Sequence, residues 1–98
     1  MSGRFGLMAA DVDLLMTQMR QLGLRGKVFG SRVRGTEKKF SDLDLCILGN
    51  VALTRIGQLQ EALEASGLPI VVDVSRYEDL HTNFQALVDR ESVLIPDA

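Results

Sequence analysis

The feature that most constrains this sequence is a run of six residues, 43–48, that is apolar except for one carboxylate at Asp44. Continuous apolar runs of this length are typical of strands buried on both faces of a sheet, whereas half-exposed strands alternate apolar and polar residues. Such a strand needs covering elements on both sides, and 98 residues suffice for one core only. The sequence therefore predicts a single domain, 1–98, built around one small sheet.

Helical and strand patterns flank this run and give the order of the other elements. Apolar residues recur at helical spacing from Val12 to Leu22, with Asp11 or Asp13 as the cap and Gly23 as the end. Further patterns predict strands at 27–29, 69–74 and 93–95, a polar loop with one helical turn at 31–41, and helices at 54–67 and 82–90. This order predicts an α/β (α+β) fold in which helices cover a small sheet.

Charge is unevenly distributed along the chain, whose net charge is −2. Residues 25–40 contain six basic side chains and one acidic one, so this segment carries +5 and the remainder −7. A compact basic segment in an acidic protein favours a local anionic ligand, such as a nucleotide phosphate, over a long nucleic-acid footprint. A charged loop that contacts only solvent would have the same composition, so composition alone leaves this alternative open.

The sequence also excludes several classes of protein. No apolar stretch approaches the ~18–20 residues that a membrane span needs. The one cysteine, Cys46, lies in an apolar run and is expected to be a buried thiol without a disulfide partner in the chain. We therefore expect a soluble, cytoplasmic protein.

Three carboxylates lie in or beside the predicted strands. Asp42 and Asp44 stand two apart at the start of the 43–48 strand, so both side chains project to the same face. Asp73 lies among apolar neighbours in the 69–74 strand, where a lone charge is costly to bury without a partner or a metal ion. Three carboxylates converging from adjacent strands would form an oxygen-rich site suited to Mg²⁺. Taken alone, the first pair is also typical of a turn followed by a strand with one ion-paired acid.

A phosphate site is indicated directly after the first predicted strand. Gly30 lets the backbone approach a phosphate closely, while the hydroxyl and backbone N–H groups of Ser31 can bind its oxygens. Arg32 and Arg34 supply permanently charged donors near the same anion. We expect these loop residues to serve a ligand rather than the fold. The spacing excludes a Walker-type loop and a dinucleotide-binding glycine fingerprint.

The segment 30–45, GSRVRGTEKKFSDLDL, resembles the signature of the DNA polymerase β-like nucleotidyltransferases. That signature is a Gly-Ser pair, ten intervening residues and Asp-x-Asp, with a third acid on a later strand. The corresponding residues are Gly30-Ser31, Asp42-Leu43-Asp44 and Asp73. In its length and in the order of its predicted elements, the chain resembles in particular the minimal nucleotidyltransferase (MNT) proteins that serve as antitoxins in HEPN/MNT pairs. The loop 36–40 departs from the usual acidic or proline-containing versions, because it carries two lysines.

The resemblance implies a polymerase β-like fold with a small mixed β-sheet and a transferase activity. The reaction would move AMP from ATP to a hydroxyl acceptor with two Mg²⁺ ions. Asp42 and Asp44 would bridge both ions, while Asp73 would hold the catalytic ion and accept the proton of the acceptor hydroxyl.

The resemblance also implies the remaining contacts. Gly30 and Ser31 would hold the β- and γ-phosphates of the nucleoside triphosphate, with Arg32 or Arg34 balancing the pyrophosphate charge. The acceptor would be a tyrosine hydroxyl of a cognate HEPN toxin, an RNase that the modification (AMPylation) neutralises. The expected partners are therefore this toxin, in a hetero-oligomer, and the nucleotide, without direct contact to nucleic acid or membrane.

Two alternatives stay open at the level of sequence. The protein could neutralise its partner by binding alone, with a vestigial site, although none of the five signature residues is lost. It could also transfer the nucleotide to a small-molecule hydroxyl, as aminoglycoside nucleotidyltransferases do. Those enzymes use an extra domain for the acceptor, for which 98 residues leave little room.

Overall fold

The computed structural model describes residues 4–96, so both ends of the predicted domain lie outside the described residues. The helices are α1 (Ala9–Gln21), α2 (Ser31–Arg34), α3 (Leu53–Ala65) and α4 (Thr82–Arg90). The strands are β1 (Gly26–Phe29), β2 (Leu43–Ile47), β3 (Val72–Arg76) and β4 (Val93–Ile95). A 3₁₀ turn, Tyr77–Asp79, follows β3.

The strands form one mixed sheet with the order β3-β2-β1-β4. β1 is antiparallel to both β2 and β4, whereas β2 and β3 are parallel and are connected through α3. Parallel neighbours need such a crossover, because a tight turn can only reverse the chain. The predicted α+β class with a small mixed sheet is confirmed.

The two faces of this sheet differ, and we call them the core face and the acid face. The core face is closed by α1 and α3, and its strand residues are Val28, Leu43, Leu45, Ile47, Val72, Val74 and Ile95. The acid face carries Phe29, Asp44, Cys46, Asp73 and Ser75, and α4 covers only part of it, through Val88. Cys46 is fully buried on this face, as predicted.

Two local predictions need correction. The first helix has no side-chain cap: Met8 is its N-cap residue, and Asp11 lies inside the first turn, where its charge favours the helix dipole. The third strand begins at Val72 and not at Pro69, because pairing with β2 starts at the Leu43–Val72 register position. It then continues to Arg76, the partner of the last residue of β2.

Within residues 4–96, no helix is both long enough and apolar enough to cross a membrane.

Candidate active site

Asp44 and Asp73 stand side by side on neighbouring strands. They are direct register partners in the parallel pair of β2 and β3, so both side chains project from the acid face. The register partner of Asp44 on its other side is Phe29 of β1. Asp44 is half-buried and Asp73 is exposed. The structure thus brings together two of the three carboxylates singled out in the sequence.

Asp42 lies just before β2 and is exposed, but its charge reaches the same site. Burial raises the pKa of Asp44 above its usual value, and the negative charges of Asp73 and then Asp42 raise it further. Like charges in one place disfavour ionisation. The three acids therefore act as one electrostatic site, although Asp42 lies at its margin and also borders a separate groove.

These three acids are the residues that could hold a divalent cation. Carboxylate oxygens are the ligands that Mg²⁺ prefers, and a cation relieves the repulsion that raises the pKa of Asp44. In the described part of the chain, no three His, Cys, Asp or Glu side chains are already grouped closely enough to hold a metal ion. The side chains of Asp42 and Asp73 make no hydrogen bond or ion pair within residues 4–96, so both can reorient towards Asp44.

Gly30 lets the turn after β1 pass next to Asp44. Its φ of 84° lies in the region that residues with a Cβ rarely adopt. A Cβ at this position would lie only 2.6 Å from Oδ2 of Asp44. The position therefore requires glycine for two reasons: the backbone has a positive φ, and any side chain would displace the carboxylate of Asp44.

Ser31 opens the one-turn helix α2 directly after Gly30. The amides of Val33 and Arg34 both donate to the carbonyl of Gly30, which leaves the first N–H groups of α2 outside the hydrogen bonds of the helix. The Ser31 hydroxyl also makes no hydrogen bond to any described residue. The turn therefore offers uncommitted donors close to Asp44, which is the property that a phosphate site needs.

Arg32 is buried, with 4% of its surface exposed. Its guanidinium donates to three backbone carbonyls, at 2.8 Å to Phe5, 2.9 Å to Ser41 and 3.4 Å to Lys39. These bonds tie α2 to the segment before α1 and to the loop that leads into Asp42. The expectation that Arg32 does not serve the fold is therefore wrong, while its contact with a nucleotide stays a prediction.

Arg34 differs from Arg32 both in its exposure to solvent and in its binding partner. It is exposed, and its guanidinium pairs with Glu91 at the end of α4. Exposed ion pairs contribute little to stability. Arg34 can therefore exchange Glu91 for an anionic ligand at small cost.

An apolar shelf, formed by Phe29, Leu80 and Phe84, borders the acid pair. The ring centroids of Phe29 and Phe84 are 6.2 Å apart, and Phe84 is 48% exposed. Together with Asp44, Asp73 and Ser75, the shelf lines a cavity of about 80 Å³. Sequence reasoning missed the shelf, because Phe84 has the spacing of a core residue and only the incomplete cover of the acid face leaves it open.

Comparison with known proteins identifies this arrangement. Residues 27–98 match the family described as "Polymerase beta, Nucleotidyltransferase". The chain belongs to this family. The matched segment begins in β1 and includes Gly30, Ser31 and all three acids, so the nucleotidyltransferase core coincides with the site.

Individual proteins also resemble the chain over most of its length. A Haemophilus influenzae protein named "Probable protein adenylyltransferase MntA" is 37% identical over an alignment of 71 residues, and the match covers 70% of this chain and 62% of that protein. The chain thus spans less than two thirds of this relative. A solved structure described as a candidate minimal nucleotidyltransferase is 27% identical, with a TM-score of 0.68 over 92% of this chain and 94% of that one. The resemblance to minimal nucleotidyltransferases is confirmed.

A further solved structure, described as "Crystal structure of the toxin-antitoxin with AMP-PNP", has a TM-score of 0.67. The match covers 94% of this chain and 75% of that one at 21% identity. At this identity the likeness demonstrates a shared nucleotidyltransferase fold and no more.

Proposed function

We propose that this chain is an antitoxin that transfers AMP from ATP, with Mg²⁺, to a tyrosine hydroxyl of a cognate HEPN RNase toxin. The observation that carries the proposal is the placement of Asp44 beside Asp73, near the charge of Asp42 and the uncommitted donors of Ser31. The relative named as a protein adenylyltransferase supports the reaction. The fold neighbour described as a toxin-antitoxin with AMP-PNP is consistent with the partner and the nucleotide.

In this proposal Asp42, Asp44 and Asp73 hold two Mg²⁺ ions. When bound, the ions supply positive charge to the attacking and leaving oxygens of an in-line displacement. Asp44 has a raised pKa and must be ionised to act as a ligand, so metal binding and its ionisation favour each other. Asp73 is exposed and its carboxylate makes no hydrogen bond within the described residues, so it is available to accept the proton of the acceptor hydroxyl.

The triphosphate lies at the turn between β1 and α2. The hydroxyl and N–H of Ser31 donate to the β- and γ-phosphates, and Gly30 keeps this turn close to Asp44. Arg34 leaves Glu91 and balances the charge of the departing pyrophosphate, while Arg32 adds positive charge from its buried position.

At the α-phosphorus, the reaction forms one bond and breaks one, and one proton is transferred. The acceptor oxygen bonds to the α-phosphorus of ATP as the bond from that phosphorus to the bridging oxygen of the β-phosphate breaks. The acceptor proton passes to Asp73, and pyrophosphate leaves with the bonding electrons. The AMP group adds a negative charge to the toxin, and beside an RNase site this charge would repel the RNA phosphates.

The proposal is tested by incubating the protein and its toxin with ATP and Mg²⁺ and weighing the intact toxin by mass spectrometry. We expect the toxin to gain the mass of one or more AMP groups and to lose RNase activity. The modified toxin should stay inactive after the antitoxin is removed.

Asp42→Asn is the informative variant, and Asp13→Asn is its matched control on the exposed side of α1. The first should slow the mass gain by at most about a hundredfold, and the second should leave its rate unchanged. If the toxin is neutralised with its mass unchanged, and Asp42→Asn protects cells equally well, the protein acts by binding alone.

A further inference from the structure

The strand that carries Asp73 lies at the edge of the sheet. β3 pairs with β2 on one side, and no other described strand lies on its outer side. In a parallel ladder, alternate residues direct their backbone groups to the neighbouring strand. Leu43 donates its N–H to the carbonyl of Val71, so the backbone of Asp73 also faces β2, while Val72 and Val74 direct theirs outward.

One side chain of α3 takes the place of the missing strand. Nε2 of Gln60 donates to the carbonyl oxygen of Val72 at 2.8 Å, and its Oε1 accepts the N–H of Val74 at 3.3 Å. A single planar amide thus binds the residues directly before and after Asp73. Its helix is fixed against the core by Leu59, the fully buried neighbour of Gln60.

The Asp73 carboxylate itself has no such support. It is exposed and makes no hydrogen bond or ion pair within residues 4–96. Its position beside Asp44 therefore depends on the backbone of β3, which β2 holds from one side and Gln60 from the other. Asp44 does not depend on such a contact, because β2 has a strand on each side.

We propose that Gln60 is a positioning residue for Asp73. Its amide fixes the edge strand in the arrangement that sets the Asp73 carboxylate beside Asp44. This inference rests on the proposed function, in which the two acids share metal ions. Groups hydrogen-bonded directly to metal ligands typically change metal affinity or activity by about 10- to 100-fold, and Gln60 acts one residue further away, so we expect the lower end of this range.

Two variants remove the contact to different extents. Gln60→Met keeps the length of the side chain and removes both hydrogen bonds, whereas Gln60→Glu keeps the acceptor for Val74 and loses the donor to Val72. Gln58→Met is the matched control, because Gln58 lies on the same helix, is exposed and has a side chain that makes no hydrogen bond to a described residue.

We expect Gln60→Met to lower the AMP transfer rate about tenfold and to raise the Mg²⁺ concentration needed for half-maximal rate by a similar factor. The KM for ATP should change less than about twofold, because the contact does not touch the triphosphate turn. Gln60→Glu should lower the rate at least as much, because one of its carboxylate oxygens would face the carbonyl oxygen of Val72. It provides the same comparison if Gln60→Met does not fold.

A readout independent of activity separates this inference from the proposed function. Mn²⁺ broadens the NMR resonances of amides near its binding site, so the signal of the Asp73 amide can be titrated with Mn²⁺ alone. Gln60→Met should need about tenfold more Mn²⁺ for the same broadening, and its Val74 amide should exchange faster with solvent. If the unmodified protein binds Mn²⁺ at Asp73 but transfers no AMP, the proposed function fails while this comparison still decides the role of Gln60.

A double variant distinguishes positioning from general stabilisation. If Gln60 acts through Asp73, Gln60→Met should cause no further loss in an Asp73→Asn background. A further tenfold loss there, or an unchanged Mn²⁺ titration in Gln60→Met, would overturn the inference.

Discussion

Successive side chains of the same strands point to the core face and to the acid face in turn, yet the two faces differ in burial and in charge. On the core face, Leu43 and Leu45 are fully buried, and α1 and α3 close the layer. On the acid face, α4 leaves the row of Asp44 and Asp73 open, and the acids there repel one another. The first face supplies the stability that lets the second keep an unfavourable cluster of charge. Adjacent residues of one strand should therefore have separable effects on stability and on activity.

The largest expected effect concerns Asp44→Asn. Removing one metal-holding charge should lower the AMP transfer rate on the order of a hundredfold or more, as the loss of one transition-state contact does in other enzymes. The free energy of unfolding should not fall, because the pKa of Asp44 is raised in the folded protein and its charge opposes folding. Transfer assays and urea unfolding of the same variant check both statements.

Leu45→Ala, one residue further along β2, provides the contrast. Its side chain is fully buried on the core face, so truncation should cost about 2–5 kcal/mol of unfolding free energy. The folded fraction should keep its transfer rate per molecule. The comparison fails if Asp44→Asn is as destabilising as Leu45→Ala, or if it retains full activity.

The next prediction separates Arg32 from Arg34. Arg32→Met leaves three carbonyls without their donor in a buried place and should cost on the order of 2 kcal/mol or more. Arg34→Met removes one exposed ion pair and should change stability by less than about 0.5 kcal/mol, while raising the KM for ATP. Urea unfolding of both variants tests the ranking, and equal losses would contradict it.

Much of the fold was predictable because its signals are periodic or local. The apolar spacing of the helices, the positive-φ Gly23 after α1 and the apolar run of β2 each specify one element without reference to the rest of the chain. The acids and the turn at Gly30 were also recognisable, because each lies in or directly beside a predicted strand and their spacing resembles the nucleotidyltransferase signature.

The features that the sequence analysis did not predict depend on contacts between segments that are distant in the chain. Arg32 and Arg34 are indistinguishable in the sequence, since a helix of four residues has no periodicity that tells its inner side from its outer side. Gln60 bonds to residues 12 and 14 positions away, and only the edge position of β3 gives that amide a role. Phe84 has the spacing of a core residue in the sequence, but it is exposed because α4 covers only part of the acid face.

A smaller effect is expected for Ser31→Ala. The hydroxyl makes no hydrogen bond to a described residue, so its loss should shift the melting temperature little. The affinity for ATP should fall by about tenfold, the value of one hydrogen bond to a charged group. Calorimetric titration with ATP and Mg²⁺ measures this. A large loss of stability with unchanged ATP binding would assign Ser31 to the fold.

The smallest expected effect is a pH dependence that belongs to the acid face alone. Burial and the charges of Asp73 and Asp42 raise the pKa of Asp44 above the value near 3.8 that it has in the unfolded chain. The folded state then binds the proton more tightly, so the contribution of Asp44 to stability is fully present below pH 3.8 and is lost as the pH rises through the folded pKa. Without metal, Asp44→Asn should therefore be more stable than the unmodified protein at about pH 7, and the difference should shrink at about pH 3.

Two controls show whether this pH dependence comes from the charge of Asp44. The stability lost in Leu45→Ala involves no titrating group, so it should be the same at both pH values. Mg²⁺ at neutral pH should remove the stability advantage of Asp44→Asn, because the ion binds only the ionised site. A difference between Asp44→Asn and the unmodified protein that stays constant with pH would mean that the charge of Asp44 does not oppose folding.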